Sequence, residues 1–206
     1  MQDRPEWGRT FAQFMKARAQ LTSGPIVERV VVPDKAQLLL DLGGSHGLHS
    51  IAFCRSHPNL KAIVFDLPVA LTETEENITT EGLADRVNVQ RGDYLTDDIG
   101  QGYDVVLCFN LVHHHTEDDN RRLIRKIAKA LNPGGLIVIY GMLRDEHITS
   151  YNALFSLLMF TYSQTRIYSF QEIIGWLKEV AFSDFNRINL PPAGQNSIIT
   201  AVKTNP

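Results

Sequence analysis

The 206-residue sequence is poor in the features that mark secreted, membrane-spanning and nucleic-acid-binding proteins. It has two cysteines, Cys54 and Cys108, without a CxxC pair, and both lie in apolar stretches, so we expect buried free thiols in a reducing compartment. No apolar run reaches the about 18 residues of a transmembrane helix, and the polar start MQDRPEWGRT lacks the apolar core of a secretory signal. The net charge of −3 does not require a basic face for nucleic acid. We therefore expect a cytoplasmic protein that binds neither membranes nor nucleic acid.

Short apolar runs alternate with helical patterns along the first two thirds of the chain. Continuous apolar runs of this length are typical of strands that helices cover on both faces of a parallel sheet. Apolar residues at helical spacing predict a helix over 118–131, which Asn132-Pro133-Gly134-Gly135 ends. Pro68 predicts a short helix that continues through Ala70. The five predicted strands lie at 38–40, 62–65, 87–89, 105–109 and 136–140. The pattern is that of an α/β, doubly wound sheet.

The C-terminal third has a different pattern. Helices are predicted over 148–162 and 169–180, and Ser169 followed by Glu172 forms a capping box at the start of the second. Alternating residues at 185–190 and 197–202 predict two strands of an antiparallel hairpin, joined by Pro191-Pro192-Ala193-Gly194. An N-terminal helix precedes the first strand. We therefore divide the chain into a helical segment, 1–35, that packs on a domain formed by 36–206.

The most informative stretch is Asp41-Leu42-Gly43-Gly44-Ser45-His46-Gly47, which joins the first strand to a helix. Glycines at such a position allow a tight turn and a close approach of the backbone to a ligand, which then faces the helix N-terminus. Asp66 ends the second strand, where an acid accepts hydrogen bonds from both ribose hydroxyls. A nucleoside-containing cofactor is therefore predicted, and a tight packing turn is the alternative for the glycines alone.

Three features favour S-adenosylmethionine over NAD. Asp41 precedes the glycines, where a carboxylate would repel a pyrophosphate but suits an ammonium group. The pattern G-x-G-x-x-G of NAD sites is not met, because Ser45 and Leu48 stand at its second and third glycine positions. A further acid, Asp93, follows the third strand, where it can accept from an adenine amino group, and Tyr94 can stack on the ring. A solvated loop acid is the alternative for Asp93, and a NAD-dependent reductase is disfavoured.

Three consecutive histidines, His113, His114 and His115, follow the fourth strand at the sheet edge where ligands bind in open α/β folds. Imidazole is the natural general base near pH 7, and it can remove the proton of a phenol-like hydroxyl. Adjacent residues on a loop rarely point to one metal, and no acid or cysteine accompanies them at ligand spacing. We predict a base rather than a metal site. The alternative is that the histidines contact the cofactor without proton transfer.

Together these residues resemble S-adenosylmethionine-dependent methyltransferases of the Rossmann-like class. More closely, the chain resembles the catalytic domain of the O-methyltransferase family that includes plant caffeic-acid-type, hydroxyindole and bacterial polyketide enzymes. The matching pieces, from about Phe11 to Val202, are Phe11-Ala12-Gln13-Phe14-Met15, the Asp41–Gly47 loop, Phe65-Asp66-Leu67-Pro68, Gly92-Asp93-Tyr94-Leu95, the His113 segment and Asn132-Pro133-Gly134-Gly135. The resemblance implies the class I methyltransferase fold: a mostly parallel seven-stranded sheet with an antiparallel C-terminal strand and helices on both faces.

The resemblance also implies S-adenosylmethionine as cofactor, S-adenosylhomocysteine as product, and a role for each matching residue. The methionine part of the cofactor would lie against Asp41, Gly43, Gly44 and Gly47. The ribose and adenine would lie against Asp66, Leu67, Gly92, Asp93, Tyr94 and Asn110. His113 aligns with the catalytic base of the family, and the acceptor pocket would include Met15, His114, Leu158 and Tyr162.

The sequence departs from the family at several positions. Ser45 stands where the family has a third glycine. Gly141 and Ile167 occupy the positions of two carboxylates that steer the base in plant members, and His114 replaces an aspartate that follows the base there. The winged-helix dimerisation domain of the family has no counterpart here, so a fragment and a short stand-alone relative both remain open, and a homodimer is compatible with either.

We therefore expect methyl transfer to a hydroxyl of a small, aromatic acceptor, with His113 as the general base. One alternative is a carbon or nitrogen acceptor that needs no base. Asn110-Leu111-Val112-His113 stands in place of an Asn-Pro-Pro-Tyr-type motif, which disfavours nucleobase amino groups. The other alternative is a cofactor-binding module with little activity, because the steering carboxylates are missing.

Overall fold

A computed structural model describes residues 5–144, 150–190 and 196–204, and its centre is a seven-stranded sheet in the order β3-β2-β1-β4-β5-β7-β6. The strands are β1 Leu38–Leu42, β2 Lys61–Asp66, β3 Val87–Arg91, β4 Tyr103–Phe109, β5 Leu131–Gly141, β6 Phe182–Leu190 and β7 Asn196–Lys203. The helices are α1 Pro5–Val27, α2 Leu48–Ser56, α3 Thr74–Thr80, α4 Glu117–Ala130, α5 Ser150–Ser163 and α6 Phe170–Lys178. A 3-10 helix, Val112–His114, lies between β4 and α4.

The sheet is parallel from β3 to β5, and β7 runs antiparallel to both β5 and β6. Because strands β1 and β4 are buried on both faces, their sequences are continuous apolar runs rather than alternating patterns. The predicted α/β class, with a mostly parallel seven-stranded sheet and an antiparallel C-terminal strand, is confirmed.

Two apolar cores lie on opposite faces of the sheet. Ile26 of α1 and Phe53 of α2 belong to one core. Ile127 of α4 and Trp176 of α6 belong to the other. Both cysteines are buried and unpaired, as predicted, with Cys54 in the first core and Cys108 in the second. Within the described ranges, no helix is both long and apolar enough to cross a membrane.

Most element boundaries follow local signals. Helix α4 ends at Ala130, immediately before Leu131 and the Asn-Pro-Gly-Gly stretch, and the Ser169–Glu172 capping box opens α6 as predicted. The short helix predicted from Pro68 is wrong. The segment is a series of turns with bonds to the third residue back, from Ala70 N to Leu67 O at 2.9 Å, and α3 begins only at Thr74.

Three sequence predictions touch parts of the chain that the structure does not describe. The side chain of Phe11, the predicted turn at 191–194 and the predicted start of the helix at 148–149 lie outside the described residues. Helix α1 is described from Pro5, and its buried residues, including Ala19, Ser23 and Ile26, face the sheet and α2.

The parallel order brings the carboxyl ends of five strands to one edge. Asp66 pairs with Arg91, Leu42 with both Phe65 and Cys108, and Phe109 with Tyr140 in the Cα register. Because ligands bind at this edge in open α/β sheets, the fold gathers the loops after β1 to β5 into one place.

Candidate active site

Asp41 lies in β1 under the glycine loop and is almost fully buried. Its Oδ2 accepts a hydrogen bond from Ser50 Oγ at 2.8 Å, whereas the buried Oδ1 has no partner among the described residues. Burial raises the pKa of Asp41 to about 7. The hydrogen bond from Ser50 lowers the pKa and opposes this effect, whereas the negative charge of Asp66 adds to it. A Cβ on Gly44 would stand 2.7 Å from Asp41 Cγ, so only glycine lets the loop pass over this carboxylate.

Ser45 ties the glycine loop to Asp66. Its φ of 42° lies in the left-handed region, where glycine is at no steric disadvantage. Ser45 N donates to Asp66 Oδ2 at 3.0 Å, and Leu67 N donates to Oδ1 at 2.7 Å. Burial raises the pKa of Asp66, and these two backbone donors oppose that effect. The acid predicted to hold the ribose therefore sits at the rim of the loop, with both oxygens already oriented.

The loop after β3 reaches both the glycine loop and the histidines. Asp93 Oδ1 accepts from Leu95 N at 2.9 Å and so fixes its own turn. Tyr94 Oη lies 2.9 Å from His115 Nε2, and its Cε1 lies 3.7 Å from the position that a Cβ on Gly43 would take. The predicted adenine-side residues therefore adjoin the glycine loop, and Tyr94 connects them to the histidine run.

The histidine run begins after Asn110, whose φ of 53° turns the chain sharply at the end of β4. His113 is buried, its ring lies 4.4 Å from that of His114, and it meets Phe155 of α5 edge-on at 5.2 Å between ring centroids. Burial, and then the charges of His114, Arg18 and His115, lower the pKa of His113 to about 3. Burial and then His115 lower the pKa of His114 to about 4. Both rings are neutral near pH 7.

The two positions that resemblance assigned to steering carboxylates do lie near the histidine run. A Cβ on Gly141 would stand 3.7 Å from His113 Nδ1. Ile167 is buried in the segment between Thr165, which bonds the His113 carbonyl, and Tyr168, which bonds the His115 carbonyl. Among the described residues, no carboxylate forms an ion pair with His113. In the same ranges, no cluster of three or more histidine, cysteine or acidic side chains could hold a metal.

The predicted acceptor residues are less tightly assembled. Met15 is half-buried on α1. Leu158 and Tyr162 lie on α5 but are 54% and 56% exposed, and it is Phe155, one turn earlier, that contacts His113. The structure therefore brings the cofactor residues and the histidine run together, and leaves these two α5 side chains facing solvent.

Four residues of the site were missed in the sequence. Ser50 bonds Asp41, and Asn120, Thr165 and Tyr168 bond main-chain carbonyls of the histidine run. Nothing local marks the last two, because their partners are 52 and 53 residues away in the chain.

The residues at this edge fit S-adenosylmethionine. The unpartnered Oδ1 of Asp41 is buried beside the loop, and a carboxylate whose pKa is raised in this way gains most from a cation. Asp66, Asp93 and Tyr94 line the continuation of the same edge on β2 and β3, where a nucleoside would extend.

Comparison with known proteins extends this fit. Curated relatives include 3-hydroxy-5-methyl-1-naphthoate 3-O-methyltransferase of Streptomyces sahachiroi, 29% identical over 80% of this chain and 48% of the relative. L-tyrosine C(3)-methyltransferase of Streptomyces lavendulae is 29% identical over 98% of this chain and 57% of the relative. The chain thus spans about half the length of these relatives.

Solved structures share the fold. Mitomycin 7-O-methyltransferase MmcR superimposes with a TM-score of 0.89 at 24% identity, over 98% of this chain and 59% of that one. The family model of the O-methyltransferase domain matches residues 1–183. The chain therefore belongs to the O-methyltransferase domain family.

Proposed function

We propose that this chain transfers a methyl group from S-adenosylmethionine, the cofactor of its family, to a hydroxyl of a small aromatic acceptor. The observation that carries the proposal is the pair of buried groups at one sheet edge: an unpartnered carboxylate oxygen of Asp41 and the neutral imidazole of His113. The first suits the ammonium group of the cofactor, and the second is free to accept a proton.

In this proposal, Asp41 binds the ammonium group beneath Gly43, Gly44 and Gly47. Asp66 accepts hydrogen bonds from the ribose hydroxyls, and Leu67 contacts the nucleoside beside it. The adenine lies against Gly92, Asp93, Tyr94 and Asn110. When bound, S-adenosylmethionine supplies an electrophilic methyl group on its sulfonium. The protein aligns the acceptor oxygen with that methyl and excludes water, which supplies much of the rate.

His113 is the proposed general base. It takes the proton of the acceptor hydroxyl as the oxygen forms its bond to the methyl group, and later releases that proton to solvent. A positioned base contributes about 10²–10⁴-fold. The low pKa of His113 keeps the imidazole unprotonated at pH 7 but also makes it a weak base, so its contribution belongs at the lower end of this range. Met15, His114, Leu158 and Tyr162 are the proposed acceptor contacts.

A second candidate is transfer to a carbon or nitrogen atom without a base. Two observations favour it: a relative that matches 98% of this chain is named as a C-methyltransferase, and no described carboxylate forms an ion pair with His113. A product methylated on carbon or nitrogen, identified by mass spectrometry, would support this candidate over O-methylation.

The remaining parts of the proposal concern organisation. We assign residues 1–35 to a helical segment that packs on a cofactor-binding domain of 36–206, which the contact of Ser23 with His49 across α1 and α2 supports. We place the protein in the cytoplasm on account of its two buried thiols, with a small molecule as its partner rather than nucleic acid or a membrane. The exposed apolar side chains of α5 favour a homodimer, which light scattering tests.

Calorimetric titration with S-adenosylhomocysteine, with NAD as the control ligand, tests the cofactor. We expect micromolar binding of the first, none of the second, and loss of binding in Asp66→Ala. Binding of NAD, or none of S-adenosylhomocysteine by the folded protein, would contradict the proposal.

An acceptor panel of phenols, naphthols and their carboxylates then tests the reaction. Mass spectrometry distinguishes methyl ethers from ring-methylated products. With an acceptor that the protein methylates, His113→Gln is expected to lower kcat by about 10²-fold. The affinity of this variant for S-adenosylhomocysteine should be unchanged. Turnover that is unaffected in His113→Gln would remove the base from the proposal and leave methyl transfer itself standing.

A further inference from the structure

The histidine run is held from outside by hydrogen bonds to its main-chain carbonyls. Asn120 Nδ2 of α4 donates to His115 O at 3.3 Å, and Tyr168 Oη donates to the same oxygen at 2.8 Å. Thr165 Oγ1 donates to His113 O at 2.7 Å. Among the described residues, the backbone bonds of the run are short-range, such as His114 N to Leu111 O at 3.0 Å. Its shape therefore depends on side chains from other elements.

The Thr165 contact belongs to a chain of hydroxyls that begins in α5. Ser163 Oγ lies 2.6 Å from Thr165 Oγ1 and 3.1 Å from Met159 O. A hydroxyl has a single proton to donate. The two hydroxyls therefore have two protons for three contacts. The two shortest contacts, from Ser163 to Thr165 at 2.6 Å and from Thr165 to His113 O at 2.7 Å, are both satisfied when Ser163 donates to Thr165 rather than to Met159 O. The hydrogen bonds therefore run in one direction, from Ser163 at the end of α5 through Thr165 to His113.

Helix α5 is otherwise loosely attached. Among its described residues, Asn152 and Met159 are the buried ones, and its contact with the ring of His113 is made by Phe155. The proposed acceptor residues Leu158 and Tyr162 lie on this helix. The side chain of His113 is thus contacted by Phe155 of α5, and its carbonyl is held by Thr165, which follows α5 and is linked to it through Ser163.

We propose that Thr165 is a positioning residue: it couples α5, the proposed acceptor helix, to the imidazole of His113 by holding the His113 carbonyl. This inference rests on the proposed function of His113 as the base. Loss of the hydroxyl leaves a buried carbonyl without its donor, which the peptide relieves by turning, and the ring on the same residue turns with it. Misplacement of a reacting group by 1 Å can cost about 10²-fold in rate.

Thr165→Val removes the donor and keeps the shape of the side chain, and Thr165→Ser keeps the donor. We expect kcat of Thr165→Val to fall about tenfold or more, because a misplaced imidazole loses part of the about 10²-fold contribution of the base. Its affinity for S-adenosylhomocysteine should stay within about twofold, because the glycine loop and Asp66 are untouched. Thr165→Ser should restore most of kcat. Ser163→Ala removes the donor to Thr165 and should have a smaller effect in the same direction.

A role confined to stability would not change the surroundings of the His113 ring in the folded protein. We expect the imidazole signals of His113 in NMR spectra at pH 7, assigned through His113→Gln, to shift in Thr165→Val and to return in Thr165→Ser. A thermal melt of each variant shows whether it is folded under the conditions of the assay.

The outcomes separate the two proposals. If His113→Gln loses activity while Thr165→Val retains full kcat and the His113 imidazole shifts, the base stands and the positioning role is wrong. If Thr165→Val and Thr165→Ser lose kcat equally, the hydroxyl is not the cause and the inference is also overturned. If His113→Gln is fully active, both the base and its coupling to Thr165 are refuted.

Discussion

The buried carboxylate of Asp41 should lower the free energy of unfolding of the cofactor-free protein. Burial raises its pKa from 3.8 to about 7, so the folded state resists its ionisation. At pH 8 this difference corresponds to about 4 kcal/mol of lost stability. Below pH 3.8 Asp41 is protonated in both the folded and the unfolded state, so stability is not lost. The loss of stability grows as the pH rises from 3.8 to about 7, the pKa of Asp41 in the folded state.

Asp41→Asn tests this reasoning, because the amide has the same shape and no charge. Its oxygen can still accept from Ser50, but its NH2 group has no described acceptor, which costs about 1–3 kcal/mol. We therefore expect the variant to be about 1–3 kcal/mol more stable than the parent at pH 8. At pH 4.5, where the charge costs only about 1 kcal/mol, the variant should be no more stable than the parent. Urea unfolding at the two pH values measures the difference.

The same substitution should damage cofactor binding. Truncating one partner of a buried ion pair costs about 2–5 kcal/mol, so the Kd for S-adenosylhomocysteine should rise about 30-fold or more. The parent should also release roughly half a proton at pH 7 when the ligand binds, since a group with a pKa near 7 is half protonated there. Titration in buffers of different ionisation enthalpy detects that proton, and Asp41→Asn should not show it.

Asp104 at the start of β4 provides the matched control. Burial raises its pKa, but hydrogen bonds from Gln37 N, the Asn132 amide and Leu38 N lower it overall. Asp104→Asn should therefore be destabilised at pH 8 and bind S-adenosylhomocysteine like the parent. The reasoning would be refuted if Asp41→Asn were equally stabilised or destabilised at both pH values, or if it bound the ligand with unchanged affinity.

Three further predictions follow from the same contacts. Acid should destabilise the protein, because burial keeps the pKa of four histidines at about 3 to 4 while the unfolded chain takes up protons below pH 6.5; these are His46, His49, His113 and His114. Each of these histidines lowers the free energy of unfolding by about 2 kcal/mol at pH 5. Their sum exceeds the about 2 kcal/mol that the buried Asp41 regains at that pH. Urea unfolding at pH 7.5 and pH 5 should show the net loss. Gly141→Asp should place a carboxylate near His113 Nδ1 and so raise the pKa of that histidine above its value of about 3. A stronger base should then increase kcat about tenfold. Gly141→Asn is the uncharged control, and an equal effect of both substitutions would rule out charge as the cause. Tyr94→Phe removes the bond to His115 and should weaken S-adenosylhomocysteine binding about fivefold, whereas Tyr103→Phe, which loses a bond to Ile99 O at 2.7 Å, should lower stability without changing the Kd.

The regular elements of this fold could be predicted because their signals are local. The apolar stripe of α4, with Leu123, Ile124 and Ile127 buried on one face, repeats within one helix. β1 and β4 carry uninterrupted apolar runs at 38–40 and 105–109, because both faces of the strands are covered. Once parallel strands are recognised, their shared carboxyl edge follows, and with it the placement of Asp41, Asp66 and the histidine run at that edge.

The irregular parts could not be predicted in the same way. Proline is common in the first turn of a helix. At Pro68, however, the carbonyls of Leu67 and Pro68 accept turn-type hydrogen bonds, and the helix begins only at Thr74. An apolar α5 pattern predicts that its stripe is covered, yet Leu158 and Tyr162 remain largely exposed. Burial depends on what packs against a helix, and that information lies in the rest of the fold.

Ser45 shows how a departure from a family pattern can be compensated by its surroundings. A side chain in the left-handed region costs about 1–2 kcal/mol relative to glycine. Ser45 N bonds Asp66, its Oγ donates to Ala70 O at 3.3 Å, and its carbonyl accepts from Thr74 Oγ1. Only the bond from Oγ to Ala70 O depends on the serine side chain, and at about 0.5–1.5 kcal/mol it offsets part of the conformational cost. Because Ser45 keeps the loop in the glycine conformation and still presents its N–H to Asp66, the missing glycine does not by itself indicate a degenerate cofactor site.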